Sequence, residues 1–259
     1  MEHEAISQVR RLLHDANRLL FVTGAGISAD SGIPTYRGVG GLYDGQLTED
    51  GIAIEEALSG PMFAASPEVT WKYLWQIGKA CRGAQPNRAH FWLVSLENSR
   101  DEVWVMTQNV DGLHRRAGTT NLIEVHGHAY DLYCIECRQT FDAMELLGGY
   151  DGEPTDLPPR CTKCGGVVRP DVVLFGEMLS PHVLESFHRL AETDFDVVVS
   201  IGTSGQFPYI LSTFELARKS GKQAIDINPT VTKMTELATH HIRLRAEEAA
   251  DVLSDMGAA

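Results

Sequence analysis

The sequence has 259 residues, 43% of them apolar, which suits one large α/β domain or a domain with a small companion. Its 22 basic and 35 acidic side chains leave a formal charge of −13, which disfavours a nucleic-acid partner, since phosphate backbones are bound by fields of Lys and Arg. No run reaches the roughly 18 apolar residues of a membrane span, and the first residues lack a secretory or transit signal, so a cytoplasmic protein is expected.

Residues 5–17 carry apolar side chains at helical spacing (Ile6, Val9, Leu12, Leu13), which predicts a first helix. Leu19–Thr23 then reads as a short buried strand ending at Gly24, and Val103–Thr107, Asp196–Ile201 and Ala224–Ile227 look the same. Helical segments around 87–97, 181–193 and 208–219 lie between them, so the alternation predicts a mostly parallel, doubly wound α/β sheet. Residues 38–80, Gly-rich and then helical, and 128–168, with a loop-like 148–159 segment, interrupt that frame as insertions. The last dozen residues are polar and expected to fray.

Small or amide residues follow each predicted strand: Gly24-Ala25-Gly26, Gln108-Asn109, Gly202-Thr203-Ser204 and Asn228-Pro229. The carboxyl edge of an open α/β sheet is where ligands bind. Gly24-Ala25-Gly26-Ile27-Ser28-Ala29 fits the dinucleotide pattern G-x-G-x-x-G/A, with phosphate expected at a helix N-terminus. The acid that binds ribose about 20 residues later in dehydrogenases is missing, because Asp44, Glu49 and Asp50 fall in inserted loop. An ordinary dehydrogenase is therefore disfavoured.

Four of the five cysteines form two CxxC pairs, Cys134/Cys137 and Cys161/Cys164. Thiolates two residues apart on a tight knuckle reach one tetrahedral ion, and two knuckles close a four-sulfur shell with no place for water. This predicts one structural Zn2+, while Cys81 reads as a small buried hydrophobe. Asn109 and Asp111 offer an amide and a carboxylate past a strand end, for a carboxamide and ribose or merely as a helix cap. His126, beside Gly127, is a candidate base or a structural histidine.

Taken in order, several segments resemble the sirtuin family over roughly residues 5–250. They are Gly24–Arg37, Thr107–His114, Val125-His126-Gly127, the two CxxC pairs, Arg169–Glu177, Gly202-Thr203-Ser204 and Ile227-Asn228. The resemblance implies an inverted-topology relative of the Rossmann sheet (approximately 1–37, 84–127 and 169–259). It also implies a smaller domain from a helical insertion (38–83) and a zinc ribbon (128–168).

The implied activity is NAD-dependent removal of acyl groups from protein lysine, giving nicotinamide, O-acyl-ADP-ribose and free lysine. The acyl oxygen attacks the nicotinamide ribose. A base matching His126 then takes a proton through the ribose hydroxyls so that the 2′-hydroxyl attacks the alkylimidate. Implied cofactor contacts are Gly24, Ala25, Gly26, Ala29, Ile33, Tyr36, Arg37, Gln108, Asn109, Asp111, Gly202, Thr203, Ser204, Asn228 and Ala246. On the substrate side stand Val172, Phe175, Gly176 and Glu177, expected to pair with the peptide by strand addition, together with Tyr73 and Gln76. Members that remove succinyl or malonyl groups carry Tyr-x-x-Arg in this helix; with Gln76 in place of the Arg, neutral acyl groups are expected. ADP-ribosyl transfer, NAD hydrolysis, desuccinylation and a non-enzymatic scaffold are the rival outcomes. The expected partners are acylated lysines, without nucleic acid or membrane, and a monomer is compatible.

Overall fold

The computed structural model describes residues 2–34, 47–154 and 156–254. Its strands are β1 (Arg18–Thr23), β2 (Glu102–Thr107), β3 (Leu122–Glu124), β4 (Gly127–Cys134), β5 (Thr140–Asp142), β6 (Val168–Val172), β7 (Val197–Ile201), β8 (Gln223–Ile227) and β9 (His240–Ile242). Six of them form a sheet in the order β3-β2-β1-β7-β8-β9, with every neighbouring pair parallel. The remaining three form an antiparallel sheet in the order β5-β4-β6.

The parallel sheet is apolar on both faces, which is why β1 and β7 read as continuous apolar runs rather than alternating ones. Leu19 and Phe21 of β1 join a core with Val9, Leu13, Trp92 and Leu253, from the helices Glu2–Asp15, Arg88–Glu97 and Ala246–Ser254. Leu20 and Val22 point the other way, into a core with Val183, Ile210 and Phe214 from the helices Pro181–Glu192 and Pro208–Lys219. The sequence-derived strands hold to within a residue at their starts.

The expectation that the last dozen residues partly fray is corrected for 248–254, while 255–259 lie outside the described residues. Residues 246–254 form a helix whose Ala246, Ala249, Ala250 and Leu253 are buried. Their i, i+3, i+4, i+7 spacing is a core-facing stripe, and small residues let the helix lie close to its neighbours.

A third core gathers Trp71, Tyr73, Trp75, Leu132, Tyr150, Val168 and Leu174. The helix Pro67–Cys81 supplies the first three and packs beside the antiparallel sheet. Trp71 Nε1 donates to the Val168 carbonyl at 2.8 Å, tying the helical insertion to β6. Among the described residues no helix is long and apolar enough to cross a membrane.

The chain runs outward from β1 to β2 and β3, then returns to place β7 on the other flank of β1. The loops after β1 and β7 therefore diverge from a topological switch point, where open α/β sheets form their ligand crevice.

Candidate functional site

At that switch point two glycine loops touch backbone to backbone. Gly24 N donates to Ile201 O at 3.1 Å and Gly26 N to Gly202 O at 2.9 Å. A Cβ on Gly26 would sit 2.6 Å from Gly202 Cα, and one on Gly202, at φ +62, would sit 2.5 Å from Gly26 Cα. Only glycine fits either place, because the facing backbone fills the space a side chain would need. The helix expected after the dinucleotide pattern is one turn, Ala25–Ser28. It tightens into a 3-10 turn at Ala29–Ser31 and stops at left-handed Gly32. Ile33 is buried just beyond it, and Tyr36 and Arg37 lie outside the described residues.

Behind this turn runs a line of polar groups from the loop after β2. Asn109 Nδ2 donates to Gly24 O and to Ser28 Oγ, each at 3.1 Å. Ser28 Oγ in turn donates to Asp111 Oδ2 at 2.7 Å, and Asp111 Oδ1 accepts from Leu113 N at 2.9 Å. Asp111 thus holds the first amide of the helix Leu113–Ala117, whose N-cap is Gly112, with one oxygen and Ser28 beside the glycine loop with the other. Burial pushes its carboxyl pKa up, opposed by the Leu113 and Ser28 hydrogen bonds. Ser28, the hub of this line, lies inside a motif that does not by itself mark it out.

The adenosine-side candidates close the other half. Gln108 Nε2 donates to Thr203 Oγ1 at 2.8 Å, and Asn228 Nδ2 to Thr203 O at 3.2 Å. These contacts tie the loops after β2, β7 and β8 together. Ser204 is exposed, and Ala246 is buried at the start of the last helix.

His126 lies between β3 and β4 at this carboxyl edge. Its Nδ1–H donates to Gln108 O at 2.9 Å, which leaves Nε2 as the lone-pair nitrogen, 2.7 Å from Tyr209 Oη. Desolvation lowers the His126 pKa, partly offset by the Gln108 carbonyl, so the ring is a neutral base at physiological pH. Phe207 packs edge-on against it at 5.4 Å. Neither Phe207 nor Tyr209 stands out in the sequence, because their nearness to His126 is purely tertiary.

The expected substrate segment follows β6. Val173 N donates to His126 O, and Phe175 pairs with Leu58 and Gly60 through its N and O, all at 2.9–3.0 Å. Much of its backbone is therefore already engaged, which narrows the room for strand addition. The Glu177 side chain is tied into its own loop. Both its oxygens hold the Arg169 guanidinium, at 2.7 and 3.0 Å, and one also accepts from Leu174 N at 2.9 Å. It shapes the loop that carries Phe175 and Gly176. Tyr73 is buried with its hydroxyl on Asp50, and Gln76 donates to Glu49 at 3.2 Å.

Cys134, Cys137, Cys161 and Cys164 bring their sulfurs within 4.8 Å of one another. The Cys134–Cys164 and Cys137–Cys161 separations of 3.5 and 3.6 Å are close to the roughly 3.8 Å edge of a ZnS₄ tetrahedron with ~2.3 Å bonds. All four are free of disulfides, so the donor set fits one zinc ion in a closed, structural shell. Cys81 is buried with its thiol pKa raised to about 12, as expected of a packing residue.

Comparison with known proteins agrees with this geometry. The chain is 46% identical over 237 residues to NAD-dependent protein deacylase 2 of Pseudomonas aeruginosa, covering 90% of each chain. It is 49% identical over 228 residues to the protein of the same name from Pseudomonas syringae pv. tomato, covering 87% of this chain and 89% of the other. A solved Sir2–p53 peptide–NAD+ structure superposes with a TM-score of 0.82 at 27% identity, covering 97% and 98% of the two chains. A family model described as the Sir2 family matches residues 24–208, and with these relatives it establishes that the chain belongs to the Sir2 family.

Proposed function

We propose that the chain is an NAD-dependent protein lysine deacylase acting on neutral acyl groups, with His126 as its general base. The observation that carries this reading is the orientation of His126. Its Nδ1 is committed to Gln108 O, which leaves Nε2, bonded to Tyr209 Oη, as the ring nitrogen that can accept a proton. A chain that only bound nucleotide would have no use for an oriented neutral base.

The residues divide the work. Gly24, Gly26 and Gly202 form the tight turns beside which a pyrophosphate would lie, while Thr203 and Asn228 hold the nucleoside side. Asn109 and Asp111, preset by Ser28, are placed for the carboxamide and ribose. NAD supplies the sugar carbon that takes the acyl oxygen and the nicotinamide that departs. His126 then removes a proton so that a ribose hydroxyl becomes a nucleophile.

Acyl preference follows from what surrounds Tyr73 and Gln76. The two bond to Asp50 and Glu49, which Lys72 also holds at 2.8 and 3.1 Å, and Gln76 brings no charge of its own to pair with a carboxylate on the acyl chain. Four cysteines held as reduced ligands suit a cytoplasmic setting. The third core supports a small domain built from the insertions at approximately 38–83 and 128–168.

Purified protein incubated with NAD and an acetyl-lysine peptide tests the reading by mass spectrometry. Nicotinamide, O-acetyl-ADP-ribose and free lysine in equal amounts support it. ADP-ribosylated protein or free ADP-ribose alone would overturn it, and faster turnover of succinyl- than acetyl-lysine would overturn the acyl assignment.

A further inference from the structure

His126, the base of the proposed deacylase reaction on which this inference rests, already has a partner. With the imidazole proton on Nδ1, the hydrogen of the 2.7 Å contact at Nε2 belongs to Tyr209, whose hydroxyl donates to the lone pair. A sugar hydroxyl approaching Nε2 along that lone pair meets Tyr209 first. Among the described residues Tyr209 Oη makes no other hydrogen bond, and the half-buried side chain keeps its acceptor lone pair available.

Two courses are open to the tyrosine when substrate arrives: it swings aside, or it passes the proton on. Packing decides between them. The Tyr209 ring stacks on Phe207 at 5.3 Å and 10°, and meets Phe187 edge-on at 5.8 Å. It stands in the first turn of the helix Pro208–Lys219, which Ile210, Thr213, Phe214 and Ala217 anchor in the core. Turning the hydroxyl away from His126 would break the stack, whereas leaving it in place costs nothing. Burial pushes the phenol pKa up to about 12, so it keeps its proton at neutral pH. It is therefore suited to relay a proton and unsuited to be the terminal base.

The geometry points to Tyr209 as a further catalytic residue that relays the proton from a ribose hydroxyl of the co-substrate to His126. As the ribose O–H bond breaks, its proton bonds to Tyr209 Oη. The tyrosine's own proton leaves Oη in the same motion and bonds to His126 Nε2. The products are an imidazolium, an unchanged phenol and a ribose oxygen whose freed electron pair forms the new C–O bond to the acyl carbon. The reverse transfer returns the proton to the departing lysine amine.

Tyr209→Phe and His126→Ala are compared with the unaltered protein in five measurements. Thermal denaturation and calorimetric NAD binding should match for Tyr209→Phe, since only a hydroxyl is removed. In ligand-free protein labelled with ¹⁵N-histidine, the Nε2 resonance of His126 should move in Tyr209→Phe while Nδ1 stays protonated. Nicotinamide exchange, which precedes the base step, should persist within about threefold, while deacylation falls on the order of 10²-fold or more. Deacylation by Tyr209→Phe within threefold of normal, or an unmoved Nε2 resonance, would overturn the relay. Loss of nicotinamide exchange in Tyr209→Phe would overturn it too, by making the tyrosine a binding residue. Undiminished deacylation by His126→Ala would instead defeat the assignment of the base, so the two failures are distinguishable.

Discussion

Gly26→Ala is the most direct test of the cradle. The new methyl would lie 2.6 Å from Gly202 Cα and 2.9 Å from Gly202 O, roughly 0.8 Å short of ordinary contact. The neighbour is backbone, so no side chain can rotate to relieve the clash. The loops after β1 and β7 must part, which strains the bonds Gly24 N–Ile201 O and Gly26 N–Gly202 O. Overpacking costs about 1–3 kcal/mol, and one weakened hydrogen bond adds about 1 kcal/mol, so a loss of about 2–4 kcal/mol is expected. For a chain of this size that lowers the melting temperature by roughly 4–16 °C. NAD affinity should fall with it, because the gap that opens is where the pyrophosphate would approach. Urea denaturation and titration calorimetry measure the two effects. Gly221→Ala is the control: at φ +68 with nothing within 4 Å, it carries backbone strain alone. A Gly26→Ala protein no less stable than Gly221→Ala, with unchanged NAD affinity, would show that the close approach is not limiting.

Acid should destabilise the fold through buried histidines. Desolvation lowers His90 to about 4 and holds His114 well below its ordinary value, with His90 adding to the effect. The unfolded chain takes up a proton near 6.5 that the folded one refuses. Stability is therefore lost as pH falls from about 6.5 toward 4, by roughly 3 kcal/mol for His90 alone. Urea midpoints at pH 7 and pH 5 measure this, and an equal midpoint would contradict it. The lowered His126 predicts an acid limb of kcat/KM below pH 6.5 in a pH–rate profile. Cys134→Ser should reduce bound zinc below one ion per chain by mass spectrometry and unfold the ribbon region, with activity falling as a consequence. Ser28→Ala removes a donor from the buried Asp111 and should cost about 1–3 kcal/mol in urea denaturation.

How much of the fold and site is legible in the sequence depends on the range of the interaction. The strands after which Gly24, Gln108, Gly202 and Asn228 fall are readable because each is a local apolar run closed by a turn residue. The zinc cluster is readable because two knuckles carry their own geometry. The last helix is hidden, since alanines at Ala246, Ala249 and Ala250 give a weak apolar signal despite complete burial. The same limit hides Tyr209, which meets His126 only because the loop after β7 and the turn after β3 converge at one sheet edge. The Glu177 ion pair is hidden for a related reason: its partner Arg169 is eight residues away, but only the folded loop turns them to face each other.

The hydrogen bond from the Val173 amide to the His126 carbonyl joins the proposed base and the peptide-side segment in one small lever. A peptide that presses on Phe175 also bears on Leu58 and Gly60, across the gap to the helical insertion. On the proposed function, recognition of residues flanking the acyl-lysine would thereby be coupled to the placement of the His126 ring. Shortening a peptide on either side of its lysine should then lower turnover as well as affinity, with remote contacts contributing to the rate.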